Sequence, residues 1–141
     1  MPTAFTATTE VARPDDDVWA ALTDWDRAEA WMSGVTGLEA DGPTAVGTTL
    51  TFTTRRGQRR ATITAVDPGR RLVLRSEQGP VTADYRYEVA PTAPGRTTVT
   101  LVADCAVRGP MAVLAPVLRR SLRRADGEQL EALRAVLEAP R

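Results

Sequence analysis

The chain has 141 residues and a mass of 15.2 kDa; 43% of its side chains are hydrophobic, 26% are charged, and 18 acids balance 18 basic residues. That is the size of one domain, expected over residues 1–141, with about two-thirds of its unfolded surface buried, and the composition excludes collagen-like, coiled-coil and disordered chains. The sequence has no His, Lys or Asn and one cysteine, Cys105, which excludes Ser-His-Asp and Cys-His nucleophiles, Schiff-base chemistry, a Walker A loop, an internal disulfide and a cysteine-rich metal site.

Residues 3–12 (TAFTATTEVA) are Thr-rich and β-branched, hence strand-like. Pro14 followed by Asp15, Asp16 and Asp17 marks a helix start, because carboxylates in a first turn meet the positive end of the helix dipole. Val18 and Leu22 lie one turn apart, and Asp24 ends this helix. Asp26 and Glu29 resemble a capping box opening a second short helix, which runs to Ser33 and stops at Gly34.

From 35 to 107, β-rich runs alternate with turn signals: DGP at 41–43, RGQ at 56–58, DPG at 67–69, QGP at 78–80 and APTAPG at 90–95. Strands are expected near 35–40, 47–55, 59–67, 71–77, 81–90 and 96–107, joined as an antiparallel meander. Alternation places Val81, Ala83, Tyr85, Tyr87 and Val89 on one face of their strand. It does the same for Val99, Leu101, Ala103, Cys105 and Val107. Leu50 and Phe52, and Ala61, Ile63 and Ala65, are assigned to the same side of the sheet.

Gly109 and Pro110 open a long helix to about Glu138. At the helical period, Met111, Leu114, Leu118, Leu122, Ala125, Ala132, Leu133 and Val136 form one apolar stripe. Burying its six larger members would contribute roughly 9–18 kcal/mol. Gln129 sits within the stripe, where a buried amide must bond the sheet or line an opening. Pro116 marks a kink or the true first turn, and Asp126-Gly127 is a weak point at which the helix can break. The apolar face of the sheet needs a cover, and this helix is the one element long enough.

Residues 11–35, VARPDDDVWAALTDWDRAEAWMSGV, carry Pro14, the Val18-Trp19 pair, Leu22-Thr23-Asp24, and Trp31 followed by Gly34. With the RRLVLRSEQGP run and the closing LEALRAVLEA, the chain resembles the SRPBCC superfamily, in its polyketide cyclase/dehydrase-like branch, which sits beside START lipid-transfer domains and birch-pollen-allergen-like proteins. The resemblance spans nearly the whole chain. It implies an α+β helix-grip fold: a curved, antiparallel, seven-stranded sheet around a long C-terminal helix, with two short helices between the first and second strands. It also implies a hydrophobic cavity between sheet and helix. These are framework residues and do not specify one activity.

Small side chains at Ala61, Ala65, Ala83 and Ala103, and only seven aromatics in the chain, favour a hollow over a filled core. Expected walls from the second short helix and the sheet are Trp31, Met32, Phe52, Ile63, Leu74, Tyr85, Tyr87, Leu101 and Cys105. Met111, Leu114, Leu118 and Leu122 are expected from the helix. Tyr85 and Tyr87 are the candidate polar handles and the candidate acid–base groups, since a buried phenol needs a partner. Ser76 and Thr54 could add hydroxyls. Cys105 reads as a small hydrophobe. No metal site and no cofactor are expected.

Charge is uneven. Residues 1–54 hold nine acids and two arginines, net −7; residues 55–141 hold nine acids and sixteen arginines, net +7. RRGQRR at 55–60 and RRSLRR at 119–124 read as solvated faces. No aromatic residues are interleaved with them, so no nucleic-acid partner is expected. Acidic and basic regions could meet in a homodimer. No secretory signal is read in residues 1–12, the apolar run 111–118 is too short to span a bilayer, and a cytoplasmic location is expected. Three functions remain open: binding a small, largely hydrophobic molecule in the cavity; a cyclase, aromatase or dehydratase acting on a polyketide-like substrate; and a protein-interaction module using the Arg-rich face.

Overall fold

The computed structural model describes residues 2–32, 34–55 and 57–139. Seven strands form one antiparallel sheet: β1 (Thr3–Val11), β2 (Thr36–Ala40), β3 (Thr49–Thr54), β4 (Gly57–Asp67), β5 (Arg71–Gln78), β6 (Val81–Ala93) and β7 (Arg96–Val107). Their order is β1-β7-β6-β5-β4-β3-β2, so β2 to β7 form the expected meander and β1 pairs with the last strand. The connection from β1 to β2 must therefore cross from one edge to the other. Helix α1 (Asp15–Leu22) and a 3-10 helix (Trp25–Ala30) carry it. The expected capping box does not form: Asp24 holds the N-cap position without a side-chain bond, and the Glu29 carboxylate accepts the Gly37 N–H instead. Ser33 and Arg56 lie outside the described residues.

Alternation in β6 and β7 produces matched faces, with Tyr85 opposite Ala103, Tyr87 opposite Leu101 and Val89 opposite Val99. One inward assignment fails. The pairing of β4 with β5 shifts between Ile63 and Ala65, so Ala65 comes opposite Val73 while Ile63 stays opposite Leu74. A bulge reverses the face of every residue beyond it. Ile63 is fully buried, Ala65 is half-buried, and Val66, opposite buried Leu72, takes the inward place.

The expected long C-terminal helix, Gly109 to Glu138, covers the sheet in three consecutive helical pieces: a 3-10 helix (Gly109–Leu114), α2 (Ala115–Asp126) and α3 (Gln129–Glu138). Pro116 lies in the first turn of α2, where its missing N–H costs no hydrogen bond. The second break falls at the Asp126-Gly127 weak point. There the Gly127 N–H bonds the Arg123 carbonyl at 2.8 Å, and a Cβ on Gly127 would collide with that same oxygen.

These breaks redistribute the apolar stripe. Of its six larger members only Leu133 is buried; Leu118 and Leu122 are half-buried, and Met111, Leu114 and Val136 are exposed. Leu130, outside the stripe, is buried instead.

The solid core sits at one end of the molecule. There α3 packs on β1, α1, β7 and the first 3-10 helix. Leu130 and Leu133 join Val18, Leu22, Trp25, Leu72, Val89, Val99 and Leu101 in one cluster. Each such side chain contributes about 1.5–3 kcal/mol by leaving water. Polar bonds fix the same contact: Thr9 donates to Glu131 at 2.8 Å, and the Ala12 N–H donates to Glu138 at 2.9 Å. Helix α2 packs on β1 and β7 with a single buried residue, Ala115.

Candidate ligand cavity

Beneath α2 lies a hollow of about 440 Å³, within the range of roughly 300–1,000 Å³ usual for small-molecule sites. Its floor is the inward face of β3 to β7: Leu50, Phe52, Ala61, Leu74, Ala83 and Cys105, with Tyr85 and Tyr87. Leu118, Ser121, Leu122 and Ala125 form the roof, and Met32, Val35 and Leu38 close one side. Ala61 and Ala83 are why the space exists, since a larger side chain at either would reach into it. Around the rim lie Thr54, Arg55, Arg59, Ser76 and Gln78.

At its inner end the cavity carries a hydrogen-bonded polar chain. The Tyr87 hydroxyl donates to Gln129 Oε1 at 2.6 Å, and the Gln129 amide donates to Asp126 Oδ1 at 3.1 Å. The Tyr85 hydroxyl donates to Asp126 Oδ2 at 2.6 Å. All four side chains line the hollow, and Asp126 is the one carboxylate among the described lining residues.

The break between α2 and α3 makes this arrangement possible. It brings Asp126, the last residue of one helix, and Gln129, the first of the next, onto the two tyrosines of β6. Burial pushes the Asp126 carboxyl above its ordinary range, outweighing the opposing hydrogen bonds from Tyr85 and Gln129. Burial also raises both phenols, and the Asp126 charge adds to it, so Tyr85 and Tyr87 stay protonated at neutral pH and act as donors. Burial pushes the Cys105 thiol up as well, against the opposing charge of Arg119, which favours the neutral thiol.

Eight of the expected wall residues line the hollow: Met32, Phe52, Leu74, Tyr85, Tyr87, Cys105, Leu118 and Leu122. Five do not. Ile63 and Leu101 are fully buried in the hydrophobic core and do not reach the hollow. Trp31 is buried behind the site, edge-on to Tyr87 with ring centres 6.0 Å apart. Its indole N–H has no partner among the described residues. Met111 and Leu114 belong to the exposed 3-10 helix, because the chain at 109–114 does not continue the register of α2. Sequence reasoning missed Asp126 as a site residue. Its signal was spacing: it follows Leu118 by eight residues and Leu122 by four, on the same helix face. Arg55, Arg59 and Ser121 were missed too.

The matches to known proteins agree with this architecture. The family model described as polyketide cyclase / dehydrase and lipid transport matches residues 2–138. Norcoclaurine synthase from Thalictrum flavum superposes with a TM-score of 0.74 at 17% identity, over 100% of this chain and 98% of that one. Ara h 8.0201 superposes at 0.77 with 12% identity, over 96% of this chain and 97% of its own. A protein from Thermus thermophilus, TTHA0849, gives 0.74 at 16% identity, with coverages of 95% and 96%. At these identities the likeness shows a shared helix-grip fold. No curated protein matches the chain. With the family model covering nearly all of the sequence, the chain belongs to the polyketide cyclase / dehydrase and lipid transport family, within the SRPBCC superfamily.

Proposed function

We propose that this protein binds a small, largely hydrophobic molecule that carries one polar group. The observation behind this reading is a largely apolar hollow of about 440 Å³ with a hydrogen-bonded polar cluster, Tyr85, Tyr87, Asp126 and Gln129, at its inner end. The ligand's apolar body would take the space above Ala61 and Ala83, and its oxygen would join the hydrogen bonds of Tyr85 and Asp126. The family description includes lipid transport. One structure of the Thalictrum synthase, 19% identical to this chain, holds dopamine and hydroxybenzaldehyde, which are small aromatic molecules with polar ends. A thermal-shift screen of hydrophobic compounds tests the reading. A true ligand at a hundred times its dissociation constant stabilises the fold by about 2.7 kcal/mol. No shift across a broad apolar library would end the proposal.

Asp126 favours a second reading, in which the cavity is a cyclase, aromatase or dehydratase site for a polyketide-like chain. A carboxyl raised by burial, 2.6 Å from a phenol, is suited to take a proton from a substrate and return one. Incubation with a poly-β-ketone chain would test it. Asp126→Asn and Tyr85→Phe should each slow product formation more than tenfold. Wild-type rates in both variants would refute an acid–base role.

A further inference from the structure

We propose that the segment 108–124, beside the cavity, docks the protein onto an anionic lipid surface. Within seven residues Met111 is 44% exposed, Val113 81%, Leu114 43% and Val117 64%. Among the described residues two other large hydrophobics are comparably exposed, Val46 and Val136, and both stand apart in the sequence. Single exposed side chains need no explanation, whereas a contiguous apolar cluster marks a contact surface. This cluster is not displaced core, because the 3-10 helix that carries most of it buries none of its residues.

Charge selects the partner. The segment also holds Arg108, Arg119, Arg120, Arg123 and Arg124 and no acid. Among the described residues none of these five arginines belongs to an ion pair. Arg108 and Arg119 reach only backbone carbonyls, those of Gly79 and Cys105. Aliphatic side chains flanked by unneutralised arginines are the chemistry of a helix that lies in a membrane interface: the arginines meet lipid phosphates and the apolar tips enter the acyl boundary. Nucleic acid would leave the aliphatic cluster without a partner, since stacking on bases needs aromatic rings.

Position ties the surface to the site. Gln78 and Val81 line the cavity, and Pro80 between them accepts the Arg108 N–H at 2.9 Å. Leu118, Ser121 and Leu122 of the same segment form the cavity roof. A molecule leaving the hollow at this edge would pass into lipid in place of water. The docking itself does not depend on what the cavity holds.

Co-flotation with vesicles tests the proposal. The intact protein should float with phosphatidylcholine vesicles containing phosphatidylglycerol, should not float with phosphatidylcholine alone, and should be released by high salt. Val113→Asp and the pair Arg120→Gln with Arg124→Gln should each lower partitioning more than tenfold. None of these positions lines the cavity, so unfolding midpoints and uptake of a neutral fluorescent probe should not change. Absence of flotation with anionic vesicles at low salt would overturn the proposal, as would equal flotation of Val113→Asp and wild type. A stable dimer that Val113→Asp dissociates would overturn it in favour of a second copy of the chain.

Discussion

Helices α2 and α3 are consecutive and both amphipathic, yet they relate to the sheet in opposite ways. Helix α3 is an anchor: Gln129, Leu130 and Leu133 are buried, and Glu131 and Glu138 bond to β1 and the residue after it. Helix α2 is a roof, burying only Ala115 and standing over a hollow. The difference lies beneath them. Under α3 the sheet presents large, fully buried side chains such as Val99 and Leu101; under α2 the larger floor residues are interrupted by Ala61 and Ala83. One sheet thus builds a packed end that holds the fold together and a hollowed end, which the proposed function assigns to a ligand.

The largest expected effect separates the two helices directly. Leu133→Ala should destabilise the protein by about 2–5 kcal/mol, because it opens a void in packed surroundings. Leu122→Ala, at the half-buried edge of an existing hollow, should cost less than about 1.5 kcal/mol and mainly enlarge the site. Urea unfolding of both variants checks this. Equal losses would mean that the roof is as tightly packed as the anchor.

A smaller effect is expected at the joint. Tyr87→Phe removes the donor to Gln129 in a buried place and should cost about 1–3 kcal/mol. Tyr85→Phe, whose ring faces the hollow, should cost less, because water entering the cavity can replace its hydrogen bond to Asp126. If the order were reversed, the polar chain would be held from the cavity side.

The smallest effect is a change in slope. Folding raises the Asp126 carboxyl above its ordinary value of 3.8, so the native state holds that proton more tightly than the unfolded chain does. Its stabilising contribution is complete below that value and is lost as pH rises through the folded value. Asp126→Asn, which cannot titrate, should therefore gain on wild type as pH increases from about 4 toward neutrality. Unfolding curves at a series of pH values would show it, and parallel profiles would contradict the buried-carboxyl account.

Much of the anchor was legible in the sequence, and less of the roof. The strands were readable because alternation in β6 and β7 is a local pattern that pairing merely aligns. The bulge after Ile63 was not, since a slipped register depends on the partner strand. In the C-terminal segment a helical wheel assumes one unbroken register. The sequence marks the joints with Pro116 and Gly127, but how the pieces reorient depends on what they pack against, so a single wheel puts Met111, Leu114 and Val136 inside although they lie outside. Asp126 reads locally as the end of a helix. It becomes a site residue only because Tyr85, 41 positions away in sequence, meets it across the hollow.

The central claim is that the space beneath α2 is open and takes an apolar molecule. Fluorescence titration with the neutral probe N-phenyl-1-naphthylamine, on wild type and on Ala83→Phe, tests it most directly, because a phenyl ring at Ala83 would occupy the hollow. The account predicts saturable binding at one site in wild type and more than tenfold weaker binding in the variant, with the variant's unfolding midpoint unchanged or raised. Equal binding by the two proteins, or none by either, would contradict it.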